Sequence, residues 1–155
     1  MTPVRWIAPL LMLGGLLPAC DRPPPATPAQ VVALLDTPLP EAAAAARVQR
    51  GEGLFYTNSC SNCHVLEGPT RGAPRLARLY DAPAELIGGE TRPRDRAYLA
   101  RSILSAQDHV VAGYAQQMSV YRHLPAEDVA ALIAFLETLS PPADQPGATG
   151  GRLPG

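Results

Sequence analysis

Lysine is missing from this chain altogether: all 13 strong cations are arginines, set against 14 carboxylates. The arginines are scattered and the net charge is −1. No basic cluster exists to neutralise a phosphate backbone, which excludes nucleic acid as a partner. Cysteine is nearly as scarce, at positions 20, 60 and 63 only, and three such residues do not make a disulfide framework. No stretch alternates polar and apolar residues for long enough to suggest a half-buried strand. Nor does any apolar run reach the roughly 20 residues that a bilayer-spanning helix needs. The longest, from Trp6 to Leu17, stops well short.

That run follows Arg5 and leads into Leu17-Pro18-Ala19-Cys20. A short apolar core behind a charged leader reads as an export signal over residues 1–19. A small residue immediately before a cysteine resembles the lipobox of bacterial lipoproteins. The resemblance implies that Cys20 is acylated and becomes the first residue of the mature chain. The plainer alternatives are an ordinary secretory signal with an incidental cysteine, or a signal left in place as an anchor. Against the first, a leftover exported thiol is reactive or seeks an intermolecular partner, and acylation removes that hazard. Asp21 resembles the signal that retains some lipoproteins at the periplasmic face of the inner membrane. The mature chain would have 136 residues and a side-chain charge of about −2.

Residues 20–41 hold Pro23, Pro24, Pro25, Pro28, Pro38 and Pro40. Proline at that density blocks regular hydrogen bonding and predicts a semi-rigid, extended tether behind the anchored cysteine. Residues 141–155 are rich in Pro and Gly without apolar period and read as a disordered tail. One domain remains, over 42–140, and it is all-α. Ala42 to Tyr56 predicts a helix in which Gly51 and Gly53 each cost about 1 kcal/mol against alanine, so the close approach of a second helix is expected there. Arg94 to Ser105 is the next, with Tyr98, Leu99, Ile103 and Leu104 as its buried stripe and Pro93 at its start. Pro125 to Leu139 is the clearest: Glu127 and Asp128 complement its dipole, and Val129, Leu132, Ile133, Leu136 and Leu139 recur at helical spacing.

The chemistry centres on Cys60-Ser61-Asn62-Cys63-His64. Two thiols at this spacing can add to the two vinyl groups of one haem, and the adjacent histidine can then reach its iron. A redox dithiol would need a preceding strand in a βαβ setting. A zinc site would need further ligands, and beyond His64 only His109 and His123 are available. An iron held by one histidine also needs a sixth ligand. Met1 and Met12 fall in the signal, leaving Met118, whose soft thioether suits low-spin iron and raises its potential. A lone methionine is ordinarily core filler. This one lies in a non-helical stretch before the last helix, where a chain wrapping a planar cofactor must return across its far face. His109 and His123 compete for the role; otherwise His123 is a surface residue and His109 a satisfied polar residue in a loop.

With these residues the chain resembles the mono-haem class I cytochromes c, over residues 47–139. The resemblance implies one covalent haem c in an all-α shell, ligated by His64 and Met118. It also implies that Gly51 and Phe55 on the first helix cross Leu132, Phe135 and Leu136 on the last. In that family a proline follows the motif and its carbonyl accepts the ring NH of the ligating histidine; Pro74, in Gly72-Ala73-Pro74-Arg75-Leu76, is the match. The segment Tyr98 to Met118 is most similar to the cytochrome c domain of haem–copper oxidase subunit II and to the small mono-haem lipoprotein subunit of alternative complex III, although Ser119 stands where members commonly have proline.

The expected function is therefore one-electron transfer in a respiratory chain, by an exported, membrane-tethered carrier and not an enzyme. A di-haem peroxidase would need a second haem-attachment motif, which this chain lacks. A gas-binding haem protein would make Met118 dispensable, and a fixed relay subunit of a larger complex is the nearer alternative. The partner, a redox protein or respiratory complex, is expected at the cofactor edge near the two cysteines, where Ser59, Ser61 and Asn62 allow close approach.

Overall fold

The computed structural model describes residues 24–140, so the export signal, Cys20 and the 141–155 tail lie outside the described residues. Among the described residues there are four helices: α1 (Pro28–Asp36), α2 (Glu41–Thr57), α3 (Arg96–Leu104) and α4 (Ala126–Thr138). A 3₁₀ turn over Cys60–Asn62 follows α2, and a two-stranded antiparallel ribbon, β1 (Pro83–Glu85) and β2 (Thr91–Pro93), precedes α3. The architecture is mainly helical, as the sequence predicts, with the ribbon added. Three residues per strand, with proline at an end of each, are too few for a period of two to register.

The first helix corrects the reading of 20–41 as an extended tether. Prolines crowd both ends of this segment, yet none falls between Pro28 and Pro38. Pro28 occupies the first turn, where its missing N–H is no loss. Thr27 and Gln30 form a capping box: the Gln30 amide N–H donates to Thr27 Oγ1 at 3.3 Å, and the Thr27 N–H donates to Gln30 Oε1 at 2.8 Å. Val31 and Leu35, one turn apart, are buried against the core. Arg96 then ties α1 to two other helices, donating to Asp36 at 2.7 Å and to Glu137 at 2.6 Å. The packed unit therefore begins near residue 26 and not at 42.

The packing of α2 on α4 is the principal helix pair. A methyl group at Gly51 would overlap the Ala131 backbone carbonyl, so this glycine is what lets the two axes approach. Beside it Phe55 meets Phe135 with ring centroids 5.9 Å apart. Gly53 makes no such approach: nothing lies within 4 Å of where its Cβ would be. Arg50 on α2 reaches the buried Asp128 in the first turn of α4 at 2.7 Å, a second link across the pair. The start of α3 also differs from expectation. Asp95 caps it, accepting from the Tyr98 N–H at 2.7 Å, while Pro93 ends the ribbon. No helix among the described residues is long and apolar enough to cross a membrane.

Candidate functional site

The segment that follows α2 turns sharply. Ser59 adopts a left-handed backbone at φ 61°, and the His64 N–H donates to the Cys60 carbonyl at 3.0 Å. This one tight loop sends His64 inward and leaves Cys63 exposed, with Cys60 half-buried between them. The two cysteines are not joined to each other in a disulfide. Burial pushes the Cys60 thiol above its usual range, against the smaller opposing effect of the Tyr121 hydroxyl.

His64 enters a cleft between α2, α3 and α4 that opens to solvent. Its walls are mostly apolar, with Phe55, Leu76, Leu99, Ile103, Leu132 and Leu136 among them. Cys60, Pro74 and Met118 line the same cleft, as does His109. His123 is exposed and lies outside the lining. Cys63 is likewise outside it, on the surface beside the mouth.

The imidazole orientation follows from one contact. His64 Nδ1 lies 2.8 Å from the Pro74 carbonyl oxygen. A carbonyl only accepts, so Nδ1 carries the hydrogen and Nε2 keeps its lone pair. Burial lowers the His64 pKa below the ordinary histidine value, with the Pro74 hydrogen bond opposing it more weakly. The ring is thus a neutral imidazole with one nitrogen free to bind metal, its tautomer fixed by a backbone acceptor as is usual for histidine ligands.

Two further residues shape the site without having stood out in the sequence. Tyr121 donates its hydroxyl to the Asn58 carbonyl at 3.1 Å, and its N–H bonds the Ile103 carbonyl at 3.1 Å. It therefore pins the segment carrying Met118 to the ends of both α2 and α3. An aromatic three residues beyond a methionine was its only sequence signal. Ser102, on α3, is the other, and its Oγ is buried without a partner. The reading of His109 as a satisfied loop residue needs correcting in the same way. Its ring stacks on Tyr98 at 5.3 Å and 8°, and Nδ1 is buried with no hydrogen bond.

These residues fit a haem. An imidazole nitrogen and a thioether border one apolar cleft, thiols stand at its mouth, and two buried polar atoms await acceptors or donors. Among the described residues, no three His, Cys, Asp or Glu side chains come together to hold a metal ion by themselves. A helical shell around such a cleft defines a haem-based electron carrier. The cytochrome c family model matches residues 48–140, and the chain belongs to that family. Its fold is the class I cytochrome c fold, and family membership implies a covalently bound haem c. No curated protein matches the chain.

Proposed function

We propose that this protein is a mono-haem, membrane-tethered carrier whose haem iron would be held by His64 and Met118. The observation supporting this is that His64, with Nε2 left free by the Pro74 hydrogen bond, borders the same cleft as Met118, the one methionine among the described residues. Cys60 and Cys63 hold the group through two thioethers. When bound, the haem supplies a single iron-centred redox couple. The chain's own contribution is to fix the imidazole, present the thioether, and wrap both in apolar side chains that keep water away. Such an environment favours the less charged ferrous state and raises the potential.

Cys63, Ser59 and Asn62 are exposed beside the mouth, so a partner can come within short range of the thioether edge. The Leu17 to Cys20 motif supports a lipid anchor on Cys20, holding the carrier at the periplasmic face of the inner membrane. There it would exchange electrons with a respiratory complex or another redox protein, either as a shuttle or as a fixed relay.

Intact mass should show one haem bound per polypeptide, resistant to acid-acetone extraction. The reduced protein should be low-spin and slow to bind carbon monoxide, and the oxidised protein should show the weak near-infrared band of sulfur–iron ligation. Rapid carbon monoxide binding without that band would leave Met118 out of the coordination sphere and favour a ligand-binding haem protein instead. Acylation is tested separately, since Cys20→Ser should release the protein from the membrane fraction.

A further inference from the structure

We propose that α1 holds this domain against the membrane with the cleft turned away from the lipid, so that its redox partner is a protein domain standing in the aqueous phase and not a carrier dissolved in the bilayer. This placement rests on the lipid anchor of the proposed function, because acylated Cys20 is what joins α1 to the membrane.

The length of free chain decides how far the domain can move. Ala26 is already packed against the core, and only five residues, 21 to 25, separate it from Cys20. At full extension of about 3.3–3.6 Å per residue, the stretch from Cys20 to Ala26 reaches no further than about 20 Å. An extended tether running to residue 41 would reach about 70 Å by the same measure. The packed unit, with a radius of gyration of about 13 Å, is roughly 35 Å across. A leash shorter than the body it holds lets that body tilt but not turn over.

The side held in this way lies across the molecule from the cleft. α1 packs on α3 and α4, and none of its residues lines the cleft. Leu99 and Ile103 of α3 and Leu132 and Leu136 of α4 border the cleft, whereas Ala100, Leu104, Val129 and Ile133 are buried without bordering it. Successive residues turn by about 100° around a helix. The second set therefore faces another side of each helix, the side on which α1 buries Val31 and Leu35. α3 and α4 thus form a layer between α1 and the cleft. Two arginines fasten α1 in place: Arg96 donates to Asp36 at 2.7 Å and to Glu137 at 2.6 Å, and Arg47 on α2 donates to the Leu34 carbonyl at 2.9 Å.

The charge on the α1 side suits a lipid surface. From Pro24 to Pro40 the one charged residue is Asp36, and Arg96 compensates it as an ion pair. Nothing in that stretch is left to be repelled by anionic headgroups. The exposed residues beside the mouth of the cleft, Ser59, Asn62 and Cys63, belong instead to the turn that follows α2. A carrier dissolved in the bilayer meets α1 first, with two helix layers of about 10 Å each before the cleft. A protein domain in the aqueous phase meets Ser59, Asn62 and Cys63 directly.

The test uses the full-length, acylated and haem-loaded protein in phospholipid vesicles, with both groups read by intact mass. A headgroup-labelled fluorescent lipid transfers energy to the haem and reports its height above the membrane. Reduction of the ferric haem is followed with a water-soluble reductant outside the vesicles and with a long-chain quinol confined to the bilayer. Inserting a Gly/Ser stretch of about 15 residues between Asp21 and Arg22 adds about 20 Å of mean reach. It should lower the energy transfer severalfold. It should also speed reduction by the quinol severalfold, because the cleft can then turn to the lipid, while the water-soluble reductant acts at its former rate. Val31 is fully buried, so Val31→Asp should release α1 from the core and shift both signals the same way. Unchanged energy transfer and an unchanged quinol rate in the insertion variant would overturn the proposal. Should Val31→Asp not fold, the insertion carries both readouts. A wild type lacking the acyl group or the haem would sink the proposed function instead, and the mass measurement separates that outcome from the others.

Discussion

The two walls of the cleft are built in different ways. The wall carrying His64 is assembled from neighbours in sequence: α2 delivers the Cys60 turn, and Pro74, ten residues on, sets the imidazole. The wall carrying Met118 has no helix beneath the methionine. It is held from a distance, by the Tyr121 hydroxyl on Asn58, by the Tyr121 N–H on Ile103, and by the bridge between Leu86 and Val111. A locally specified wall forms with its helix, whereas a wall made of isolated long-range hydrogen bonds can open alone. Local openings are drawn from such weakly supported segments. The Met118 side is therefore where ligand exchange should begin.

The largest expected effect tests whether the His64 wall depends on more than local sequence. Gly51→Ala drives a methyl group into the Ala131 carbonyl, and backbone on both helices leaves little room to yield. Overpacking of this kind costs about 3 kcal/mol or more at its upper end. Thermal unfolding should show a cooperative loss of the whole domain. A loss confined to the Met118 side would break the contrast.

Next in size is Leu35→Ala on α1, which packs against α3 and α4. Removing a buried leucine costs about 2–5 kcal/mol, toward the lower end here because Leu35 lies at the edge of the core. Denaturant midpoints would measure it. A value near zero would return residues 28–36 to the status of a tether.

Tyr121→Phe should cost only about 1 kcal/mol, the net worth of one hydrogen bond. Its consequence should be local: faster carbon monoxide binding to the reduced protein with little change in global unfolding. Equal damage to both would show that the two walls move as one.

The smallest effect is expected from Gly53→Ala, two residues from Gly51 on the same helix. Open space surrounds this glycine, so alanine should stabilise by about 0.5–1 kcal/mol through helix propensity. Destabilisation would mean that the helix tolerates no added side chain at either glycine.

The sequence alone was informative wherever the signal was periodic or compact. The stripes of Tyr98, Leu99, Ile103 and Leu104 and of Val129, Leu132, Ile133 and Leu136 lie within single helices, so their spacing announces α3 and α4. The Cys60 to His64 pentapeptide states its chemistry in five residues. The glycines of α2 were half legible, since the sequence predicts a close approach but cannot say which glycine makes it. Gly51 faces α4 and Gly53 does not, a matter of helix rotation against a partner 80 residues away. The first helix was hidden by its flanks, because six prolines outweigh a nine-residue interval whose capping box and Val31–Leu35 pair matter only once a core exists to bury them.

What the sequence determined by itself is the family, the helical class and the group this chain is built to hold, because each is written in short spacings that local geometry obeys. Tertiary structure decided how the cleft is finished. It turned the Pro74 carbonyl onto His64, laid His109 flat on Tyr98 with Nδ1 unpaired, left Ser102 without a partner, and tied Tyr121 across to Asn58. These contacts join residues up to 63 positions apart. Whether a polar atom is satisfied depends on everything packed around it, and no periodicity along the chain records that.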